Sequence, residues 1–130
     1  MKLEKYLCIY PSGKVKWVAV DPAHRLDDLH RIIGCSCVQL VSTTLKDIVI
    51  IIDESGKIKD PPQPHNELAS RLYAGWLYGD YIVGPAVVMA LHRVPPYWEE
   101  DWCPLDFQQL RMLSKVLGVK FDPLEDPDVQ

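Results

Sequence analysis

The chain has 130 residues, with 14 Lys and Arg against 18 Asp and Glu, and a formal net charge of −4 at pH 7. This length is typical of one domain with a single core, and the acidic balance argues against broad binding to nucleic-acid phosphates. The longest apolar runs, 48–52 and 82–91, are too short to span a bilayer, and the charged N-terminus lacks the apolar core of a signal peptide. We expect a cytoplasmic protein without a membrane or nucleic-acid partner.

The start of the chain predicts a β-hairpin followed by a helix. Residues 3–10 and 15–20 alternate between apolar and polar positions and flank a Pro-Ser-Gly-Lys turn. Apolar residues then recur at helical spacing in residues 22–33, and Gly34 is suited to ending that helix. We therefore expect two paired strands with one helix packed against them.

Two further strands are predicted at residues 35–41 and 47–53. The second contains the run Ile-Val-Ile-Ile-Ile at 48–52, which is apolar on both faces. Such a strand is either central and covered on both sides, or covered by a partner subunit. The second alternative leads us to expect a homo-oligomer.

Four cysteines stand at positions 8, 35, 37 and 103, and in a cytosolic chain we expect them to be thiols. On a strand, Cys35 and Cys37 would share one face and could both pack in the core. They lack the second cysteine pair of a zinc site. The sequence therefore predicts no metal and no cofactor.

The middle of the chain is rich in proline and aromatic residues. The Pro-Pro-Gln-Pro run at 61–64 excludes regular helix and central strand. Residues 66–77 are ambiguous, although Asn66 is suited to capping a short helix. Residues 81–91 are typical of a strand that the Gly-Pro pair at 84–85 should bend.

A second helix is predicted after Pro104, with one apolar face and Gly118 as its end. The expected fold class is α+β: an antiparallel or mixed, mostly antiparallel sheet of about five strands, one packed helix and a C-terminal helix. We expect a single domain over residues 1–121, of which 95–121 form a helical extension. Residues 122–130 are acidic and are expected to form a mobile tail.

The order of these features resembles a family of small, functionally uncharacterised phage and plasmid proteins. That family has an opening hairpin, a short helix ending in glycine, a strand, a second strand with an acidic Gly-Lys turn, a Pro-x-Asn segment and a final Gly-containing strand. The resemblance covers about residues 3–92, and the matching stretches are 29–34, 37–40, 51–57, 63–69 and 81–88.

The resemblance implies a small phage-encoded α+β domain. Many small phage proteins are not enzymes; they bind and block a host defence protein, or they bind a nucleotide signal of a host defence system. By this analogy we expect a non-catalytic protein that sequesters a nucleotide-derived signal.

Candidate ligand contacts lie in and just after residues 60–92, where fixed backbone, polar side chains and aromatic rings are mixed. A nucleotide-like ligand needs aromatic faces for its base and cationic or amide donors for its phosphates. Each of these residues taken singly is more simply explained by core packing or solvation. As a group, the candidate ligand-binding residues are Trp76, Tyr78 and Tyr81 for stacking, and Asn66, Arg71 and Arg93 as donors.

Two alternatives remain open from the sequence. The protein could bind and inhibit a host protein through the aromatic and proline-rich stretch 95–102 or through an open edge strand. It could instead be a small enzyme that uses His65 as an acid–base group or with His92 at a metal, or a cysteine such as Cys37 or Cys103 as nucleophile. No recognisable motif surrounds these residues, so binding takes precedence over catalysis.

Overall fold

The structure is a computed structural model that describes residues 3–94 and 99–119. Within these residues an antiparallel sheet of six strands forms the centre of the domain. Five of them lie in the order β2-β1-β5-β4-β3, and β6 pairs with β5 outside this path. The strands are β1 Glu4–Ile9, β2 Val15–Val20, β3 Val38–Ser42, β4 Ile48–Asp53, β5 Ala86–Val94 and β6 Glu99–Cys103.

Three α-helices and three short 3₁₀ segments accompany the strands in the described part of the chain, and the last helix follows the last strand. Helix α1 ends at Gly34, whose φ of 78° is left-handed, as the sequence predicts. Helix α3 begins with a capping box between Asp106 and Gln109 and ends at Gly118. The helices are α1 Arg25–Ile33, α2 Glu67–Leu72 and α3 Phe107–Leu117, and the 3₁₀ segments are Pro22–His24, Gly56–Ile58 and Ala74–Tyr78.

Strand β5 is the central strand. Val88 pairs with Leu7 of β1 on one side and with Ile50 of β4 on the other. Ala90 pairs with both Ile48 of β4 and Cys103 of β6. Since β4 takes one side of β5, β6 must lie along the side that β1 also uses.

The apolar run of β4 is buried on both faces, and both covers come from the same chain. Ile48 and Ile50 belong to a core cluster that includes residues of α2 and α3, such as Leu72 and Leu113. Val49 and Ile51 belong to a second cluster with residues of α1. The central-strand alternative is therefore confirmed. No partner subunit is needed to cover β4, because helices of the same chain cover both of its faces. The homo-oligomer stays a prediction.

The third strand begins later than expected, and this changes the place of two cysteines. Strand β3 starts at Val38, so Cys35 and Cys37 lie in the loop that follows α1. Cys35 is half-buried against the α1 side of the core, whereas Cys37 is exposed. The expectation that Cys35 and Cys37 both pack in the core from one strand face was wrong, because residues 35–37 form the connection between α1 and β3.

The C-terminal part contains a strand, Glu99–Cys103, within the stretch 95–121 that was expected to be a helical extension. Strand β6 extends the sheet by pairing with the second half of β5. Helix α3 buries Leu113 and Leu117 in the main core, so it packs on the sheet and does not extend away from it. The stretch 95–98 and the tail 122–130 lie outside the described residues, as do the side chains of 93–94 and 99–101. No helix in the described ranges is long and apolar enough to cross a membrane.

Candidate ligand-binding groove

An open groove of about 470 Å³ lies beside the segment that follows α2. Its lining is mostly aromatic and consists of His65, Trp76, Gly79 and Tyr81; we call it the aromatic groove. The rings of His65 and Trp76 are close to parallel, with centroids 6.4 Å apart and an interplanar angle of 21°. The ring of Tyr81 meets His65 edge to face at 5.1 Å. A groove of this volume is in the range of small-molecule sites.

The proline run and a short backbone pairing position His65. The residue forms an isolated antiparallel bridge with Val83. On either side of it, the Asn66 N–H donates to Ile82 O at 2.8 Å, and the Gly84 N–H donates to Pro64 O at 2.8 Å. His65 is thus held at the end of the rigid 61–64 stretch, immediately before α2.

Asn66 is completely buried and has a structural role. Its Oδ1 accepts from the Ala69 N–H at 3.1 Å and caps α2, as the sequence predicts. Its Nδ2 donates to Ile9 O at 2.9 Å and to Gly84 O at 2.8 Å. Both amide hydrogens are therefore used within the fold. Asn66 holds the site in place and does not face the groove.

Asp80 holds the segment that carries Trp76 and Tyr81. Its carboxylate accepts from the Tyr73 hydroxyl at 2.9 Å, from the Tyr81 N–H at 2.8 Å and from the Lys57 ammonium. These donors, with Lys57 the largest contributor, lower the pKa of Asp80 to about 2. The carboxylate stays ionised at neutral pH and fixes both ends of the 73–81 turn.

Two further contacts shape this turn. Gly75 lies against the Tyr73 ring so closely that an added Cβ would be 2.4 Å from the ring carbon Cζ. The ammonium of Lys57 lies 4.3 Å from the centroid of Tyr81, which is a cation–π contact. Lys57 therefore contacts both the aromatic ring and the carboxylate of Asp80.

A second, smaller cavity of about 90 Å³ adjoins the groove and shares Tyr81 with it. We call it the polar cleft. The carboxyl of Asp53 is buried there: Oδ1 accepts from the Ser55 N–H at 2.9 Å, and Oδ2 is ion-paired with Lys59. The cleft is lined by Gln39, Val41, Ile52, Asp53, Glu54, Lys57, Tyr73, Asp80, Tyr81 and Val83.

Residues 4–116 match the family described as Domain of unknown function (DUF3846). The chain belongs to the DUF3846 family. This agrees with the expectation of an uncharacterised family, and it leaves function to be argued from the site. No curated protein matches this DUF3846 chain by sequence.

The DUF3846 fold resembles part of a solved structure, that of the small RNA methyltransferase HEN1. The two chains superpose with a TM-score of 0.58 and 13% sequence identity. The match covers 88% of this chain but 16% of the methyltransferase chain. At this identity the likeness concerns the fold alone.

The DUF3846 structure brings together some of the predicted contacts and separates others. Trp76 and Tyr81 line the aromatic groove, and each is 42% exposed. Tyr78 is 90% exposed and lies outside the lining. Arg71 donates to Glu67 on α2 at 3.0 Å and does not line the groove. The backbone of Arg93 belongs to β5, and its side chain lies outside the described residues.

No stacking role was expected for His65, and no contact was expected between Lys57 and Asp80. The signal for His65 is its position after a rigid proline run and before a capped helix. The contact between Lys57 and Asp80 joins residues 23 positions apart, and no spacing rule predicts it.

Two of the four cysteines, Cys8 and Cys35, do not resemble activated nucleophiles. Burial raises the pKa of Cys8 to about 11 and also raises the pKa of Cys35. Within residues 3–94 and 99–119, no three His, Cys, Asp or Glu side chains are grouped so that they could hold a metal ion.

Proposed function

We propose that this DUF3846 protein is a non-catalytic binding protein that holds a small planar ligand in the aromatic groove. The observation that supports this most directly is the arrangement of three rings, those of His65, Trp76 and Tyr81, around one open cavity. A flat ring gains about 1–3 kcal/mol for each aromatic side chain on which it stacks. Nucleobases suit such a surface because each has a flat π-face.

The hydrogen bonds around His65 support binding over catalysis. Its Nε2 lies 3.5 Å from the Ser70 hydroxyl, which is the distance limit for a weak contact. That hydroxyl donates to Asn66 O at 2.6 Å and accepts from the Ile82 N–H at 2.8 Å. Ser70 is completely buried. Its proton is used within the fold, so the pair does not form the Ser–His arrangement of a nucleophile and its base.

The cellular role that we propose follows the resemblance to phage and plasmid proteins. A phage-encoded protein of this kind, in the cytoplasm of the host, would sequester a nucleotide-derived defence signal by burying its base in the groove. Sequestration requires only affinity and sufficient protein, which is consistent with a site built for stacking.

The test is the binding of the four common ribonucleosides, measured by saturation-transfer NMR and then by calorimetry. We expect at least one to bind, and Trp76→Ala and Tyr81→Ala each to weaken it about tenfold or more. Tyr78→Ala is the matched control, because this equally aromatic residue lies outside the groove. Absence of binding by all four nucleosides, or equal affinity of the three variants, would contradict the proposal.

A protein partner is the second candidate function, and one observation favours it. Leu77 and Tyr78 are 76% and 90% exposed next to the groove, and the groove does not use them. Aromatic side chains of this kind are enriched at protein interfaces. If this surface binds a host protein, Tyr78→Ala should abolish that binding and leave nucleoside binding unchanged.

A further inference from the structure

Tyr81 lines both the groove and the cleft, so the two cavities meet at this side chain. This shared side chain is the geometric basis for placing a ring in the groove and its substituent in the cleft. The cleft differs from the groove in chemistry, since polar side chains predominate in its lining. If the groove binds the base, as proposed above, the cleft selects among the substituents that the base carries.

The charge of the cleft is negative. Its lining contains the carboxylates of Asp53, Glu54 and Asp80. Lys59 pairs with Asp53 and Lys57 pairs with Asp80. Among the side chains that the structure describes, the carboxylate of Glu54 has no ion-pair or hydrogen-bond partner, and it is exposed. One negative charge is thus left without a counter-ion where a substituent would enter.

A phosphate in the cleft would find no available cation on the described lining. Lys57 is the lining cation, and it is already bound to Asp80 and placed over Tyr81. Moving it to a phosphate would remove the donor that contributes most to keeping Asp80 ionised. Arg71 is paired with Glu67 and does not line either cavity. A phosphate there would instead face Glu54 with like charge.

Hydroxyl groups suit the same cleft. A carboxylate accepts hydrogen bonds at two oxygens, and the Gln39 side chain can both donate and accept. A ribose diol presents two neighbouring hydroxyls, and a carboxylate is a well-matched acceptor for them. The volume of about 90 Å³ limits the group to a small one.

We propose that the polar cleft binds the 2′,3′-diol of a ribose whose base is stacked in the aromatic groove, and that Glu54 makes the site select against a phosphate at that position. This proposal rests on the proposed function. It restricts the ligand to nucleosides, or to nucleotide derivatives whose phosphates lie away from the diol.

The experiment compares three probes by calorimetry: adenosine, 2′,3′-dideoxyadenosine and adenosine 2′,3′-cyclic phosphate. We expect adenosine to bind about tenfold or more tightly than the dideoxy compound, which lacks the donors, because hydrogen bonds to charged groups are strong. The cyclic phosphate should bind most weakly, because it lacks the donors and adds a negative charge beside Glu54.

Glu54→Gln tests the charge directly. It keeps the size and one acceptor, so we expect the preference for adenosine over the cyclic phosphate to fall about tenfold. Glu67→Gln is the matched control, since it removes an exposed carboxylate that does not line the cleft, and the preference should not change. High salt should reduce the ratio of the affinity for adenosine to the affinity for the cyclic phosphate in the wild type but not in Glu54→Gln.

The outcomes separate the two proposals. If none of the three probes binds, the assignment of a nucleoside to the groove fails, and selection by the cleft fails with it. If all three bind, Trp76→Ala weakens all of them, and the cyclic phosphate is as tight as adenosine, the groove is supported and the selection is overturned. An unchanged preference in Glu54→Gln overturns the role of Glu54.

Discussion

The side-chain amide of Asn66 donates a hydrogen bond of 2.9 Å to the carbonyl of Ile9, which lies 57 residues earlier in strand β1. The same nitrogen donates to Gly84 O, and Oδ1 caps helix α2 through the Ala69 N–H. One buried side chain thus joins the hairpin, the bend before β5 and the helix that follows His65. The groove depends on this junction because His65 directly precedes it.

Replacement of this amide should destabilise the whole domain. We expect Asn66→Ala to lower the free energy of unfolding by about 3 kcal/mol, because it removes a cap and leaves two buried carbonyls without this donor. Urea unfolding measures the change. Asp106→Ala is the matched control: it removes a helix cap that is exposed, and should cost about 1 kcal/mol. Equal losses would show that the buried contacts contribute little.

The close packing of Gly75 against Tyr73 gives a second prediction. In Gly75→Ala the new Cβ would overlap the outer atoms of the Tyr73 ring, so the ring must shift and the hydrogen bond of its hydroxyl to Asp80 is disturbed. We expect a loss of about 1–2 kcal/mol in stability and a shift of the Trp76 indole N–H signal in NMR spectra. Tyr73→Phe removes the hydroxyl without a clash. Its loss of stability and its shift of the Trp76 signal should both be smaller than those of Gly75→Ala. An unchanged Trp76 signal in Gly75→Ala would be inconsistent with this packing.

The lowered pKa of Asp80 predicts how acid affects stability. The group has a pKa of about 2 in the fold against an ordinary value of 3.8, because Lys57, Tyr73 and the Tyr81 N–H donate to it. Its contribution is therefore present above about pH 4 and is lost as the pH falls towards 2.

Between pH 5 and pH 2, the free energy of unfolding should therefore fall more steeply with decreasing pH in the wild type than in Asp80→Asn. The difference should stay below about 1 kcal/mol, because the side chain is 45% exposed and solvent screens the ion pair. The comparison isolates Asp80, because all other carboxyl groups are present in both proteins. An equal dependence of the unfolding free energy on pH in both proteins would show that the donors do not stabilise the ionised Asp80 carboxylate.

Helix α3 should be part of the cooperative fold. Leu113 is completely buried in the main core, whereas its neighbour Met112 is 43% exposed. We expect Leu113→Ala to cost about 2–5 kcal/mol by leaving a cavity and Met112→Ala to cost less than about 0.5 kcal/mol. Thermal or urea unfolding distinguishes them. Similar small losses would mean that the helix does not stabilise the sheet.

Burial predicts the order in which the cysteines react. Cys8 is completely buried and its pKa is raised to about 11, so it presents little thiolate at neutral pH. Cys37 is exposed in the loop after α1. Brief treatment with iodoacetamide, followed by peptide mass mapping, should modify Cys37 first and leave Cys8 unmodified until the protein is unfolded. Early labelling of Cys8 in the native protein would contradict its burial.

The sequence was most informative where local chemistry decides the structure. The Ile-rich run of β4 indicates a strand buried on both faces, and Gly34 and Gly118 end their helices as their conformational freedom predicts. Asn66 was recognised as a cap because this signal lies within three residues. Strand β6 was missed because its acidic residues are typical of solvated surface, and its pairing with β5 is a contact between distant segments.

The candidate site was only partly predictable for the same reason. Trp76 and Tyr81 stand out in the sequence because they are aromatic residues close to turn glycines. The cleft beside them is assembled from Gln39, Glu54 and Asp80, which are far apart along the chain. The pairing of β3 with β4 brings Gln39 near Glu54, and the turn after α2 adds Asp80, so no local pattern could identify them as neighbours.

Because Tyr81 lines both the groove and the cleft, we expect binding in one cavity to be thermodynamically coupled to binding in the other. Any group in the cleft that shifts the Tyr81 ring changes the affinity of the groove by some factor. A ring bound in the groove must then change the affinity of the cleft by the same factor, since such coupling is reciprocal. Two separate fragments, one for each cavity, would therefore report in either order of addition how strongly one aromatic side chain couples the two halves of the site.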